Sequence, residues 1–213
     1  MIFRPNEYME KEQNKDNFFD EAHFAQFYPE AKLTPISYEE LHDRAREYFE
    51  GSSRKFILPE NYLPKNFSAL HMLTHPDGRV TYIAEQTKTY SGEESSTEEL
   101  AYFVDYDGDQ PVGHGELRNN ISDPSEYFHA KPFVGFSRTY EGFERQGLGR
   151  KRLEEMNAFA RARFGHPLNS DTLLVSDSLD AGDSAPRRIW EKLAEEDKAE
   201  SYAEGEHVRY RMK

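Results

Sequence analysis

Two glycines at the start of a predicted helix are the residues of this sequence whose spacing points most clearly to chemistry. The segment GFERQGLGRKRLEEM, residues 142–156, places Gly147 and Gly149 directly before three basic residues, 150–152. Glycine lets backbone N–H groups approach a ligand closely, and the positive end of the helix dipole favours an anion. The segment therefore predicts a binding site for an anion, and a phosphate group suits it best.

Two common phosphate-binding motifs do not fit this segment. A P-loop requires the pattern G-x-x-x-x-G-K-[ST], which occurs nowhere in the sequence. A dinucleotide-binding fingerprint requires a third glycine where Arg152 stands, and it also requires alternating parallel strands and helices. The remaining interpretation is a short G-x-G loop that joins a strand to a helix inside an antiparallel sheet.

Strand and turn patterns before the loop favour this interpretation. Residues 68–87 alternate about the turn PDGR and predict a first hairpin. Residues 100–118 predict a second hairpin, which turns at Asp107-Gly108. AKPFVGFSRTY, residues 130–140, predicts a further strand that leads into the loop. Four or five antiparallel strands are therefore expected before the glycines.

One helix and an N-terminal arm are predicted before these strands. A capping box formed by Ser37 and Glu40 begins a helix, and Gly51 ends it. Residues 1–30 are polar with scattered aromatics, and they predict an irregular or partly helical arm. Residues 31–213 are expected to form a single domain.

The pattern changes to a helical period after the loop. Apolar residues recur at helical spacing from Leu148 to Phe164, where Gly165 ends the predicted helix. The remaining predicted elements are a short buried strand at residues 171–178 (DTLLVSDS), a helix capped by Asp183 or Ser184, and a closing hairpin around Glu204-Gly205. These elements together predict the α+β class.

In this setting the glycine segment resembles the acyl-CoA loop of the GNAT superfamily of N-acyltransferases. The family's loop is usually written [QR]-x-x-G-x-[GA], and ERQGLG, residues 144–149, matches it from the second position onward. The resemblance is strongest over residues 95–213. It implies a mostly antiparallel central sheet flanked by helices, with a fourth and a fifth strand that splay apart. Residues 130–140 and 171–178 would be those two strands.

The resemblance also implies acetyl-CoA as the co-substrate and names the residues that would hold it. Backbone amides of the fourth strand would hold the pantetheine arm and the thioester, and amides of the loop would hold the pyrophosphate. The residues at these positions are Ser137, Arg138 and Thr139 in the strand, and Glu144, Arg145, Gln146, Gly147, Leu148, Gly149 and Arg150 in the loop. Glu144 departs from the usual Gln or Arg, but such a loop binds mainly through its backbone.

Direct transfer of the acyl group to an amine requires a base for the amine and an acid for the leaving thiolate. Glu116 and Asp177 are the candidate bases, and Tyr202 is a candidate acid beside Ser178 and Ser184. Trp190 replaces a helix tyrosine that often supplies this proton in the family. An indole N–H is too weak an acid for that task, so the ring is expected to pack on the sheet or to line the pantetheine channel.

Composition narrows the classes of partner. The 213 residues include 40 acidic residues against 27 Lys and Arg, a formal net charge of −13, which disfavours nucleic acid and suits a cationic amine acceptor. The sequence has no cysteine and no apolar run of membrane-spanning length, so a cytoplasmic protein without membrane or metal partners is expected. His71 and His75 lie four residues apart in a predicted strand, a spacing that does not converge on a metal.

A second hypothesis follows from the same residues. A protein with this fold but without turnover could act as an acidic binding or inhibitory module. The tryptophan at position 190 and the net charge of −13 are the features that favour it. Binding of acetyl-CoA fits both hypotheses, whereas thiol release in the presence of an amine fits only an N-acetyltransferase.

Overall fold

A six-stranded antiparallel sheet lies at the centre of the computed structural model. The structure describes residues 21–41, 67–90, 96–120, 132–170, 185–204 and 207–213. In spatial order, which is also chain order, the strands are β1 (Lys32–Pro35), β2 (Ala69–Thr74), β3 (Val80–Tyr90), β4 (Ser96–Asp107), β5 (Gln110–Asn120) and β6 (Phe133–Thr139). Both predicted hairpins are confirmed, as is the strand that leads into the glycine loop.

Two glycines make the hairpin turns possible. Gly78 lies between β2 and β3 with φ of 87°, and Gly108 lies between β4 and β5 with φ of 55°. Residues with a side chain rarely adopt positive φ, so the turns PDGR and Asp107-Gly108 occur where the sequence predicts them. The strands that follow continue the alternation, with one face of the sheet packed against the helices.

The edge strand β1 is an element that the sequence patterns did not predict. Its four residues, KLTP, bury only Leu33, which is too little alternation to indicate a strand. The strand exists because its backbone pairs with β2, where Leu33 lies opposite Leu73. Pro35 is tolerated at its end because an edge strand does not need every N–H group.

Within the described residues, three helices accompany the sheet, and together they confirm the α+β class. They are α1 (Glu21–Phe27), α2 (Leu148–Phe164) and α3 (Ala185–Glu195). A short 3₁₀ turn at Tyr38–Glu40 precedes β2, and a separate two-stranded hairpin, β7 (Ala199–Glu204) and β8 (His207–Met212), closes the chain. Within the described residues, no helix is long and apolar enough to cross a membrane.

Helix α2 lies across one face of the sheet at close range. Its buried residues Met156 and Phe159 enter the core, where Phe159 meets Phe103 of β4 edge to face with centroids 5.6 Å apart. A β-carbon on Gly115 of β5 would lie 2.3 Å from the Met156 side chain. Glycine at that position therefore lets the helix approach the strand, and Gly165 ends the helix with φ of 72° as predicted.

Helix α1 is part of this core. The segment before residue 30 was predicted to be an irregular or partly helical arm, and its described end is helical. Phe24 is fully buried, and Tyr28 lies edge-on to the ring of His75. This end of the segment is therefore held by packing on the same side of the sheet as α2.

Asn169 joins the central sheet to the closing hairpin. It forms a parallel bridge with Phe133 at the start of β6 and an antiparallel bridge with Arg211 of β8. The backbone N–H of Val134 donates to the Asn169 carbonyl at 3.0 Å. A parallel segment next to β6 agrees with the predicted position of a fifth strand, but residues 171–178 lie outside the described part of the chain.

The capping box, the helix caps and the closing hairpin were also predicted, and the described residues include only parts of them. The capping box is confirmed, since the backbone N–H of Ser37 donates to a carboxylate oxygen of Glu40 at 2.7 Å. The rest of the predicted helix, and the predicted caps Asp183 and Ser184, lie outside the described residues. The closing hairpin is confirmed through β7 and β8, although Gly205 at its turn is likewise outside them.

Candidate functional site

A cavity of about 610 Å³ lies where β6, the glycine loop and two helices meet. Strand β6 forms one wall, the loop and the first turns of α2 form the next, and α3 forms the third. Its lining residues are Val134, Ser137, Arg138, Thr139, Phe143, Glu144, Arg145, Gly147, Leu148, Gly149, Arg150, Leu153, Arg188, Ile189, Trp190 and Lys192. Of the residues predicted to hold a cofactor, all line this cavity except Gln146.

Gly147 sets the direction of the helix that opens onto the cavity. It is the N-cap of α2, with φ of 80° and ψ of 1°, and no side chain caps it. The first backbone hydrogen bond of the helix runs from the N–H of Lys151 to the Gly147 carbonyl. The amides of residues 148–150 precede that bond, so they are helix-start donors available to a ligand. A left-handed conformation is adopted cheaply only by glycine.

Gly149 lines the cavity, and its lack of a side chain also permits close packing. A β-carbon on Gly149 would lie 3.3 Å from Cδ1 of Ile189 and 3.6 Å from Oγ1 of Thr139. Its missing side chain therefore brings the start of α2 close to α3 and to the end of β6. The first glycine provides the backbone conformation, and the second allows the walls of the cavity to approach each other.

The cavity lining is cationic although the whole chain is acidic. Among the described residues, it contains Arg138, Arg145, Arg150, Arg188 and Lys192 against one acidic residue, Glu144. The Glu144 carboxylate is turned back onto the loop, where it accepts a hydrogen bond from the Gly142 N–H at 2.7 Å. The local charge therefore favours an anion, in agreement with the exposed helix start.

Arg150 is held by two carboxylates at the cavity wall. Its guanidinium forms a two-pronged pair with Glu196, with N–O distances of 2.8 and 2.6 Å, and its Nε donates to Glu154 at 3.2 Å. The hydrogen bond to Glu196, and to a smaller extent the one to Glu154, raises the pKa of Arg150 above its ordinary value. The pair joins the first turn of α2 to the residue after α3, so Arg150 stabilises the wall, and the two carboxylates offset its positive charge.

Arg152 lies in the protein core, away from the basic surface that its sequence neighbours suggested. Its side chain is fully buried, and Nε and Nη2 both donate to Oδ2 of Asp105, at 2.8 and 2.6 Å. A third nitrogen, Nη1, donates to Oγ of Ser137 at 3.0 Å. Removal of either charged partner would leave the other buried and unpaired, at a cost of about 3–5 kcal/mol.

A buried polar cluster continues from this ion pair. Glu155 of α2 lies with Oε2 3.1 Å from the Thr81 hydroxyl, and Nε2 of His75 lies 3.0 Å from the same hydroxyl. Burial and the neighbouring Asp105 carboxylate raise the pKa of Glu155 well above its ordinary value. Burial and the nearby Arg79 lower the pKa of His75 to about 4. No sequence motif indicated this cluster, because its members are separated by up to 80 residues.

Strand β6 carries an extra residue at Gly135. Glu116 of β5 lies opposite Phe136, and the next residue, Leu117, lies opposite Val134, so Gly135 forms a β-bulge. A β-carbon there would lie 2.6 Å from a carboxylate oxygen of Glu116. Bulges interrupt the ladder of hydrogen bonds and redirect a strand, here beside the cavity.

Glu116, a predicted base, is buried behind this bulge. Its side chain is 2 % exposed and pairs with the Arg118 guanidinium. It is not one of the residues that line the cavity. Glu116 is therefore close to the strand that bears Ser137 but is engaged by a cation, so its role as a base stays a prediction.

The other candidate acid and base residues lie elsewhere. The Tyr202 hydroxyl of β7 donates to Oδ1 of Asn169 at 3.2 Å, and Tyr202 does not line the cavity. Asp177, Ser178 and Ser184 lie outside the described residues. Each of these roles remains a prediction.

His114 forms a hydrogen bond that the sequence did not indicate. Its Nδ1 lies 2.7 Å from the hydroxyl of Tyr140, at the start of the glycine loop. Burial, followed by the charges of Arg152 and Arg138, lowers the pKa of His114 to about 4. The ring is therefore neutral at pH 7, and it can link β5 to the loop as a hydrogen-bonding group.

Trp190 is buried at the apolar side of the cavity. It is 1 % exposed and stacks on Tyr210 of β8, with ring centroids 6.1 Å apart and planes 20° from parallel. It also lines the cavity beside Ile189. The ring therefore packs in the core and lines the cavity, whereas its place in a pantetheine channel stays a prediction.

The two histidines at positions 71 and 75 each have a polar partner. Nε2 of His71 lies 2.7 Å from Glu85, whereas His75 bonds to Thr81. In the parts of the chain that the structure describes, no group of three or more His, Asp or Glu side chains is arranged to hold a metal ion.

The similarity of this chain to known proteins is limited to the level of solved structures. No family model matches the chain, and no curated protein matches it. Among solved structures, it is similar to a protein of Klebsiella pneumoniae subsp. pneumoniae MGH 78578 that is provisionally assigned as an acyl-CoA N-acyltransferase. The two are 13% identical, the match covers 85% of this chain and 96% of that one, and the TM-score is 0.35.

Proposed function

We propose that this chain is an N-acetyltransferase, which transfers the acetyl group of acetyl-CoA to an amine acceptor. The observation that carries the proposal is the cavity at the start of α2 (Leu148–Phe164). It combines helix-start amides and cationic side chains with an apolar wall. A CoA thioester needs both, because its phosphates are anionic and its pantetheine arm is largely apolar.

The residues at the mouth of α2 fit a pyrophosphate. The amides of residues 148–150 lie at the positive end of the helix dipole, where an anion is stabilised. No atom of the described residues lies within 4 Å of the space that a Gly147 side chain would fill, so a ligand can approach the backbone there. Arg145 lines the same side of the cavity and can supply a charge-assisted hydrogen bond.

The apolar wall fits the pantetheine arm. Val134, Leu153 and Trp190 supply most of the buried apolar side chains of the lining. Strand β6 (Phe133–Thr139) runs along this wall, and its bulge at Gly135 disturbs the ladder beside Ser137. Backbone donors of β6 can therefore orient the amides and the thioester of the arm, as the resemblance to the GNAT superfamily implies.

The reaction is a direct exchange of one bond for another. The amine nitrogen attacks the carbonyl carbon, a C–N bond forms, the C–S bond breaks, and the CoA thiolate leaves. The nitrogen loses a proton and the thiolate gains one. Glu116 and Asp177 are our candidates for the base, and Tyr202 is our candidate for the acid.

The acceptor is proposed to be cationic or amine-bearing, either a small molecule or a peptide. The net charge of −13 attracts such a molecule to the protein. The cationic side chains of the cavity lining instead attract the anionic phosphates of CoA. The two charge patterns thus match the two substrates.

One observation favours a second candidate function, a binding module without turnover. Neither Glu116 nor Tyr202 lines the cavity, so the described residues include no predicted base or acid in direct contact with it. Such a module would bind acetyl-CoA through the same lining and release no thiol when an amine is added.

Two measurements test these functions in sequence. Isothermal titration calorimetry with acetyl-CoA should give a dissociation constant in the micromolar range, roughly −8 kcal/mol. Thiol release is then followed with a panel of small amines and amine-bearing peptides, with a protein-free mixture as control. Binding with amine-dependent thiol release supports the transferase, binding without release supports the module, and absence of binding contradicts both.

A further inference from the structure

The Arg152 side chain packs against β5 and β6, in space that the glycines of β5 leave open. A β-carbon on Gly113 would lie 1.9 Å from Nη2 of Arg152, so only glycine leaves room for the guanidinium. Asp105 accepts two hydrogen bonds from it, and both side chains of this pair are 0 % exposed. The orientation of Arg152 is therefore determined by packing and by the bonds to Asp105.

The third bond of this arginine ends at a residue of the cavity. Nη1 of Arg152 donates to Oγ of Ser137 at 3.0 Å, and Ser137 lines the cavity. A guanidinium has donors and no acceptor, so the serine oxygen must be the acceptor in this bond. The hydroxyl proton of Ser137 is then directed to another acceptor, and the adjacent cation makes it a stronger donor.

We infer that the Ser137 hydroxyl donates a hydrogen bond to the carbonyl oxygen of the bound acyl thioester, and that Arg152 is the positioning residue that orients it. This inference rests on the proposed function. As the amine attacks, the C–N bond forms and negative charge develops on the carbonyl oxygen. Ser137 stabilises that charge and keeps its own proton, while the C–S bond breaks and the thiolate leaves. One such donor typically contributes about 10²–10³-fold in kcat.

The side chain of Ser137 thereby has a role beyond that of the β6 backbone. The resemblance implied only backbone amides at residues 137–139. Thr139 and Ser137 face the same side of β6, but the hydrogen bond from a buried cation is recorded for Ser137. The pair with Asp105 fixes that cation, so the hydroxyl is oriented before any ligand binds.

The test uses the infrared band of acetyl-CoA labelled with ¹³C at its carbonyl, which needs no amine acceptor. Difference spectra of the unmodified chain should show this band at lower frequency when acetyl-CoA is bound than when it is free. Ser137→Ala should move the bound band back toward the free frequency, and Ser137→Thr, which keeps a hydroxyl, should restore most of the shift. Ser201→Ala, the same change at an exposed position of β7 (Ala199–Glu204), is the control and should leave the band unchanged.

Arg152→Lys tests the positioning role, because lysine keeps the charge but cannot bond Asp105 and Ser137 together. It should move the band part of the way, and it should have no further effect in a Ser137→Ala background. The serine variants decide the inference even if the lysine variant does not fold. A Ser137→Ala protein that binds acetyl-CoA and keeps the band of the unmodified chain overturns this inference alone. Absence of acetyl-CoA binding by the unmodified chain, measured by calorimetry, overturns the proposed function together with it.

Discussion

The indole of Trp190 stacks on the ring of Tyr210, with centroids 6.1 Å apart and planes within 20° of parallel. This contact joins α3 (Ala185–Glu195) to the closing hairpin and places an apolar ring at the side of the cavity. Since the residue is 1 % exposed, its main contribution is the burial of a large apolar surface.

We expect Trp190→Phe to keep most of the turnover, because phenylalanine retains an aromatic face and the indole N–H is not needed as an acid. Trp190→Ala should lower the free energy of unfolding by about 3–5 kcal/mol, through loss of buried surface and creation of a cavity. Urea denaturation and steady-state kinetics measure the two effects. A folded Trp190→Phe protein that binds acetyl-CoA but has lost more than about a hundredfold in kcat, or ~2.7 kcal/mol, would contradict this view of Trp190.

Gly147→Glu should weaken acetyl-CoA binding by at least about tenfold, or ~1.4 kcal/mol. The new carboxylate has open space around it and would occupy the helix start, where the pyrophosphate is proposed to bind. Calorimetry measures the loss of affinity, and circular dichroism verifies that the variant is folded.

The matched control is Gly165→Glu at the other end of α2 (Leu148–Phe164). Gly165 also has positive φ and open space, so the backbone strain is comparable, but the site is remote from the cavity. It should leave the affinity unchanged. Equal affinity in both folded variants and the unmodified chain would show that the loop does not hold the ligand.

The depressed pKa of His75 makes a pH-dependent contribution to stability. Its pKa is about 4 in the folded chain, against an ordinary value of 6.5, because burial disfavours the charged ring. Below pH 6.5 the unfolded chain binds a proton that the folded chain does not, so this contribution is complete above pH 6.5 and falls between pH 6.5 and pH 4. The full loss for such a shift is roughly 3 kcal/mol.

Urea denaturation of the unmodified chain and of His75→Gln across that pH range measures this contribution. The glutamine variant should be less stable at pH 7, and its stability should depend less on pH between 6.5 and 4. His166→Gln, at an exposed histidine, is the control and should keep the slope of the unmodified chain. Parallel slopes for His75→Gln and the unmodified chain would mean that His75 does not titrate as described.

A cationic acceptor should react more slowly as the salt concentration rises. Attraction between the acceptor and a chain of net charge −13 speeds their encounter, and salt screens it over a Debye length of about 10 Å at 0.1 M. The measurement is kcat/KM for the amine at saturating acetyl-CoA, with salts from low to high ionic strength and a neutral amine as the control. A kcat/KM for the cationic amine that stays constant or rises with salt would contradict electrostatic attraction of the acceptor.

Local signals in the sequence were sufficient for most of the elements of this fold. The turns at Gly78 and Gly108 need positive φ, and apolar residues of α2 recur every three or four positions from Leu153 to Phe164, so each element is specified by neighbouring residues. The predicted position of an anion site followed from the same kind of signal, two glycines between a strand and a helix. The strand β1 (Lys32–Pro35) gave no such signal, because its pairing with β2 depends on a partner more than 30 residues away.

The roles of individual residues at the site were decided by the tertiary structure. Arg150 and Arg152 are neighbours in a basic run, yet the first lies at the cavity wall and the second lies in the core against Asp105. Gly149 matches the loop motif, yet its missing side chain serves the approach of Ile189. The sequence by itself determined where this helix would begin, because capping and periodicity act over a few residues. That this end of the helix binds an anion stays a prediction. Which side chains face the cavity depends on the packing of strands and helices that are distant in the chain, and only the folded structure contains that information.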